Sequence, residues 1–131
     1  MTAPLGSRVA VDVAAAFDRF ADLWSPRIVA QVNEYDVKIV RAEGDFPEHA
    51  HEDTDELFLV LGGRLVLELP GREPVVLGPG QLQVIPRGVR HRPVADPGTR
   101  ILLFEPRGTV NTGDADQPGT TGTPLDGNGT R

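Results

Sequence analysis

Hydrophobic positions recur along the chain first with a helical period and then with the short repeats of strands. Val13, Phe17, Phe20 and Trp24 follow one another at steps of four, three and four residues, which predicts a short amphipathic helix. Asp12 is placed to cap its start, and Ser25-Pro26 ends the pattern. From Arg27 the signals are those of strands. Arg27–Val32 reads either as a strand or as an extended lead-in, and Asn33-Glu34 separates it from a β-rich run at 35–41. Further runs lie at 56–61, 64–69, 75–77, 81–85, 91–95 and 100–105. Gly62-Gly63 suits a tight hairpin turn between the runs on either side of it. Pro70-Gly71-Arg72-Glu73, Gly78-Pro79-Gly80, Pro86-Arg87-Gly88 and Asp96-Pro97-Gly98-Thr99 mark further turns. Many short strands at even spacing predict an all-β sandwich or barrel, preceded by one short N-terminal helix.

Two of the runs, Leu57-Phe58-Leu59-Val60-Leu61 and Ile101-Leu102-Leu103-Phe104, are apolar on both faces. Both faces of such strands need a cover. In a small barrel the outer cover is either the N-terminal helix or a second copy of the chain, so a homodimer is expected. Residues 107–131 carry six glycines, six threonines and only Val110, Ala115 and Leu125 as aliphatic residues. That composition buries too little surface to offset its ordering entropy. It predicts a flexible tail, disordered over 115–131, with 107–114 still able to dock on the body. The expected organisation is therefore a helix and lead-in at 1–26, a β-barrel at 27–106 and a tail at 107–131.

Composition removes several classes of function. The length of 131 residues suits one domain. A net charge of −6 and a pI near 4.9 argue against nucleic-acid partners and anionic membrane surfaces. No run approaches the roughly 20 apolar residues of a membrane-spanning helix, and no export signal is visible. A cytoplasmic protein is expected. Without cysteine there is no disulfide, thiolate ligand or cysteine nucleophile. No Gly-x-Ser-x-Gly elbow is present, and no helix pattern follows the glycine turns as a phosphate-cradling loop requires.

The three histidines are concentrated in two short segments, His49-Ala50-His51-Glu52-Asp53-Thr54-Asp55-Glu56 and Gly80 to His91. On a strand, residues two apart share a face, so His49 and His51 would stand side by side. Glu56 enters the next run with the same parity as Phe58 and Val60; of the rival carboxylates, Asp55 has the opposite parity and Glu52 adjoins His51, so both should point away. Three imidazoles and one carboxylate form a mixed nitrogen/oxygen donor set. It suits Fe(II), Mn(II), Ni(II), Cu(II) or Zn(II) and suits Ca(II) poorly.

These segments resemble the paired motifs of the cupin superfamily. His49, His51, Glu56 and Gly63 fit the first motif, and Gly80, Pro86, Gly88 and His91 fit the second. Gly44 stands one residue closer than the family's leading glycine, and Ala95 stands where asparagine is usual. The segments 51–56 and 105–114 are further similar to small single-domain cupins called mannose-6-phosphate-isomerase-like, a likeness of domain and not of activity. The resemblance implies a double-stranded β-helix, the jelly-roll or cupin barrel. It also implies one divalent transition metal per chain, held inside the barrel by His49, His51, Glu56 and His91.

Such a site implies a small metal-dependent enzyme of dioxygenase or isomerase type acting on a small molecule. The alternative is a non-catalytic cupin that binds or senses a small ligand. Inward-facing Phe58 and Val60 predict a partly apolar pocket. Arg87, Arg90 and Arg92 flank the second motif, and Asp45, Glu48, Glu52, Asp53 and Asp55 the first. Surface ion pairing between the segments is expected of these arginines, ahead of a role in holding an anionic substrate.

Overall fold

The computed structural model describes residues 10–125. The elements run α1 (Val13–Phe17), β1 (Arg27–Val32), β2 (Tyr35–Asp45), β3 (Glu56–Gly62), β4 (Leu65–Glu68), β5 (Val75–Leu77), β6 (Leu82–Ile85), β7 (Arg92–Pro106) and β8 (Thr123–Pro124). The long strands β2 and β7 are antiparallel from Tyr35↔Pro106 to Asp45↔Val94 and form the spine of the barrel. The first part of β7 also pairs with β4, and its second part with β3. β5 extends the β4 side, and β6 extends the β3 side. One long strand thus serves both halves, as in a double-stranded β-helix.

Alternation places the core. Phe58 and Val60 of β3, Ile101 and Leu103 of β7, Val40 and Ala42 of β2, and Leu65 and Leu67 of β4 are buried in one apolar cluster. Outside the barrel, Phe17 of α1 packs on Ile39 with Val13 and Phe20 beside it. The outer side chains of β3 and β6, Leu57, Leu59, Leu61, Leu82 and Val84, stay partly or fully exposed. Register sets Leu59 beside Leu82 and Leu57 beside Val84, so they form one continuous apolar surface.

Four details differ from the sequence reading. Gly62-Gly63 closes no hairpin: β3 pairs with β6 and β7, while β4 pairs with β5 and β7. Gly63, at φ +83°, lies so close to Thr99 that a Cβ would stand 2.6 Å from the Thr99 Cα. The glycine is needed for a close crossing from one half of the barrel to the other. At the same corner, Asp96-Pro97-Gly98-Thr99 bends β7 without ending it. There Thr99 Oγ1 accepts from Arg64 N (3.1 Å) and donates to the Asp96 carbonyl (2.7 Å).

The helix is shorter than its aromatic stripe. It starts under an Asp12 cap, whose Oδ1 accepts from Ala15 N at 3.1 Å, and it ends at Phe17. Arg41 donates to the freed Phe17 and Phe20 carbonyls, so the segment stays on the barrel without further helical turns.

Finally, residues 107–125 fold back over the barrel, where docking was expected only of 107–114 and disorder from 115 onward. Asn111 N donates to the Thr120 carbonyl (3.0 Å), and Leu125 N to that of Ile28 (2.9 Å). β8 adds a parallel strand to the free edge of β1. Backbone pairing on an open edge replaces the apolar burial that this composition lacks. The rest of the expected tail, 126–131, lies outside the described residues.

Candidate metal centre

His49 and His51 do not lie on a regular strand. An isolated antiparallel bridge joins His49 to His91, and Gly88 N donates to the His51 carbonyl at 2.8 Å. These bonds bring the two histidine segments together, and the first residue of β3 supplies Glu56 beside them. His49, His51, Glu56 and His91 are all buried, and each offers a donor atom such that the four lie within 4.8 Å of one another.

The orientation of the rings matters as much as their nearness. His49 Nδ1 lies 2.8 Å from the Pro47 carbonyl, and His91 Nδ1 lies 3.1 Å from that of Val89. A carbonyl only accepts, so each Nδ1 carries the proton and each Nε2 keeps a free lone pair. Glu56 Oε1 is 3.2 Å from His51 Nε2 and 3.3 Å from His91 Nε2. All three atoms are nevertheless buried without a directed hydrogen bond. They aim at a shared point rather than at one another. Buried polar atoms without partners are costly, and a divalent cation at that point would satisfy them together. The donor set therefore fits a transition metal.

Electrostatics agree with that fit. Burial is the main cause that lowers the His49 pKa to about 4, so its ring is neutral at physiological pH. Burial opposes the charge on Glu56, but His51, His91 and Glu105 beside it outweigh burial and hold the carboxyl well below its usual range. Burial first, and then the neighbouring Glu56 charge, push the Glu105 carboxyl up to about 8.

The rival carboxylates point elsewhere. Glu52 is exposed, and Asp55 Oδ1 accepts from Arg87 N (2.9 Å) and Nε (3.2 Å). The arginines of the second motif are occupied at the surface. Arg90 pairs with Glu48 and Asp114, and Arg92 with Asp45 and Glu68. Among the described residues, no arginine lines the cavity beside Glu56.

That cavity encloses about 350 Å³, its open mouth included, and is walled by Trp24, Phe46, Phe58, Ile101, Leu103 and Asn111 among others. Among the described residues, Glu56 is the sole ionisable one in its wall. The polar groups nearby are largely committed: Trp24 Nε1 donates to the Glu43 carbonyl (3.0 Å), and Asn111 Oδ1 accepts from Thr120 N (2.9 Å). Neither Trp24 nor Asn111 was marked by sequence. Trp24 belonged to a helical stripe, and Asn111 to a segment read as tail.

The cupin domain family matches residues 36–104. The chain belongs to the cupin family. A cupin-2 domain protein from Shewanella frigidimarina NCIMB 400 shares 38% identity and a TM-score of 0.74, over 79% of this chain and 100% of that one. The uncharacterized protein YdbB of Bacillus subtilis is 36% identical over 64 residues, which span 49% of this chain and 57% of YdbB. Hydroquinone 1,2-dioxygenase from Sphingomonas sp. TTNP3, solved with 4-hydroxybenzoate bound, has a TM-score of 0.62 at 18% identity, over 86% of this chain and 74% of the enzyme. That last likeness is one of fold alone. Among the described residues, no helix is long and apolar enough to cross a membrane.

Proposed function

We propose that this cupin holds one divalent transition metal through His49, His51, Glu56 and His91 and acts as a small metal-dependent enzyme on a small, partly apolar molecule. The observation that carries the proposal is the convergence of buried His51 Nε2, His91 Nε2 and Glu56 Oε1 without hydrogen-bond partners. Iron, manganese, nickel, copper and zinc all suit the donor set. A bound metal would supply Lewis-acid polarisation of a substrate oxygen or, if it were iron, activation of dioxygen. The chain's own residues shape the rest. Trp24, Phe46 and Phe58 bind an apolar body and exclude water, while His49 and His91 keep their Nδ1 protons and donate them to the Pro47 and Val89 carbonyls. Among the described residues no cation lines the cavity wall, which disfavours a phosphorylated or strongly anionic substrate.

The non-catalytic reading, a module that binds or senses a small ligand, is favoured by one observation. Among the described residues, Glu56 is the sole ionisable group in the cavity wall, and none of them supplies a separate acid or base there. Product formation from a ligand that also raises the melting temperature supports the enzyme; stabilisation without turnover supports the binder.

The domain reading is retained with one change: a barrel at 27–106, an N-terminal helix, and a return segment that closes over the barrel. The apolar outer face of β3 and β6 supports a homodimer, since α1 covers only the Ile39 side.

The test is elemental analysis of untagged protein beside a His49→Ala/His51→Ala variant. Near-stoichiometric metal that the variant loses is expected. Metal absent from wild type even after reconstitution would sink the proposal.

A further inference from the structure

Most of the wall of the cavity beside Glu56 is apolar, and much of it is aromatic. The aromatic part is continuous with the candidate ligand rings. Phe46 lies 4.9 Å from Trp24 between ring centroids and meets His49 edge-on at 5.6 Å, and Phe58 meets His91 edge-on at 5.8 Å. Such walls favour a flat aromatic guest, since ring pairs gain more than their buried area alone gives. The cavity encloses about 350 Å³ with its mouth included, at the small end of ligand pockets, which run from about 300 Å³ upward. It has room for one ring.

Asn111 interrupts that apolar wall. Among the described residues, Asn111 and Trp24 are the uncharged side chains there that can hydrogen-bond, and Trp24 Nε1 is taken by the Glu43 carbonyl. The Asn111 amide is held from two sides: Oδ1 accepts from Thr120 N at 2.9 Å, and Nδ2 donates to the Trp24 carbonyl at 3.3 Å. A backbone N–H only donates and a carbonyl only accepts, so these partners fix which end of the amide is nitrogen. That nitrogen carries two N–H groups. Trp24 takes one, and the second has no partner among the described residues. A fixed donor in an otherwise apolar wall orients a ligand and selects it.

We propose that Asn111 is a specificity-determining residue: its second N–H donates to an acceptor oxygen on an uncharged, single-ring aromatic ligand whose ring lies against Trp24, Phe46 and Phe58. The assignment rests on the reading above that this cavity takes a small, partly apolar molecule, and it narrows the class of that molecule. Asn111 is not a metal ligand, so the selectivity is expected with or without a metal.

The experiment titrates full-length protein, metal-free and Zn(II)-loaded, with acetophenone, ethylbenzene and cyclohexyl methyl ketone, and follows amide and indole NMR signals. Ethylbenzene lacks the acceptor oxygen, and cyclohexyl methyl ketone lacks the aromatic ring. The chain has one tryptophan, so the indole signal reports on Trp24. Acetophenone is expected to shift both the Trp24 indole and the Asn111 side-chain amide, and to bind more tightly than cyclohexyl methyl ketone. Ethylbenzene is expected to shift the indole and leave the Asn111 amide. Asn111→Leu should lower the ratio of acetophenone to ethylbenzene affinity about tenfold, the scale of one neutral hydrogen bond. Asp114→Asn loosens the same segment away from the cavity wall and should keep the wild-type ratio. A ratio that Asn111→Leu leaves unchanged, or that Asp114→Asn lowers as far, would overturn the assignment. So would acetophenone that shifts neither signal, or cyclohexyl methyl ketone that binds as tightly as acetophenone. Should Asn111→Leu not fold, wild type decides: equal Asn111 amide shifts with acetophenone and ethylbenzene would overturn the assignment. Protein that binds no Zn(II) would remove the metal centre and leave the metal-free titrations to stand on their own.

Discussion

His49 and His91 exchange both of their backbone hydrogen bonds: His49 N donates to the His91 carbonyl at 3.0 Å, and His91 N to that of His49 at 2.9 Å. The bridge belongs to no regular strand. It joins the two histidine segments of the chain through their main chains, and the ring centroids sit 4.4 Å apart. The position of each imidazole is thus set by backbone, and its tautomer by a carbonyl two residues earlier.

Because the bridge uses main-chain atoms, it survives loss of a ring. His91→Ala is expected to lose bound metal while keeping the β-rich circular-dichroism spectrum of wild type. Metal analysis and circular dichroism on the same sample check this. A variant that retains wild-type metal would remove His91 from the donor set.

The return segment presses on the same site. A Cβ on Gly113 would stand 2.5 Å from the Ala50 carbonyl oxygen and 2.9 Å from His49 Cδ2. Gly113→Ala must therefore displace either the segment or the His49 ring. Overpacking of this kind costs about 1–3 kcal/mol, and a displaced ligand weakens metal binding. Urea unfolding and metal titration should both show a loss; wild-type values in both would mean that 107–125 does not lie where the structure places it.

Leu82 is 54% exposed on the single chain and lies beside Leu59 on the open apolar face. Leu82→Glu adds a charge at a position already wetted in the monomer, so the fold should be unaffected. If two copies cover this face, the charge is buried in the dimer without a partner. Sedimentation velocity should then show a dimer for wild type and a monomer for the variant. A monomeric wild type would count against the homodimer.

Asp114 ties the return segment to the histidine loop. Its Oδ1 accepts from Ala50 N at 2.9 Å, and its Oδ2 from Arg90 Nη1 at 2.9 Å. The Ala50 bond is the main cause that lowers its pKa below the ordinary 3.8. A carboxyl whose folded pKa is depressed contributes fully above its unfolded value and loses that contribution as pH falls through the folded value. The urea midpoint of wild type should exceed that of Asp114→Asn by a constant amount near neutral pH, and the gap should close below 3.8. A gap independent of pH would mean that the Asp114 charge plays no part in holding the segment.

What the sequence determined by itself was most of the strands and the candidate donor residues. Strand parity is local and has a period of two, so Glu56 could be aligned with Phe58 and Val60 and separated from Asp55 before any pairing was known. The concentration of all three histidines in two motifs made the candidate metal site legible as chemistry. Tertiary structure decided which strands meet. Two adjacent glycines permit a hairpin or a crossing equally well, and only the hydrogen-bonding edges offered by β7, β5 and β6 select the crossing at Gly63. Composition marked 107–125 as unable to form a core, but it carries no information about an open edge on β1 that can take its backbone. Nor does alternation along β2 single out Lys38 and Asp36 as inner residues, since Val37 and Ile39 beside them are the apolar ones. Their burial follows from register against β7, which places Glu105 within reach of Lys38 and directly across from Glu56. Local sequence specifies which way side chains alternate; only the closed barrel specifies what each of them meets.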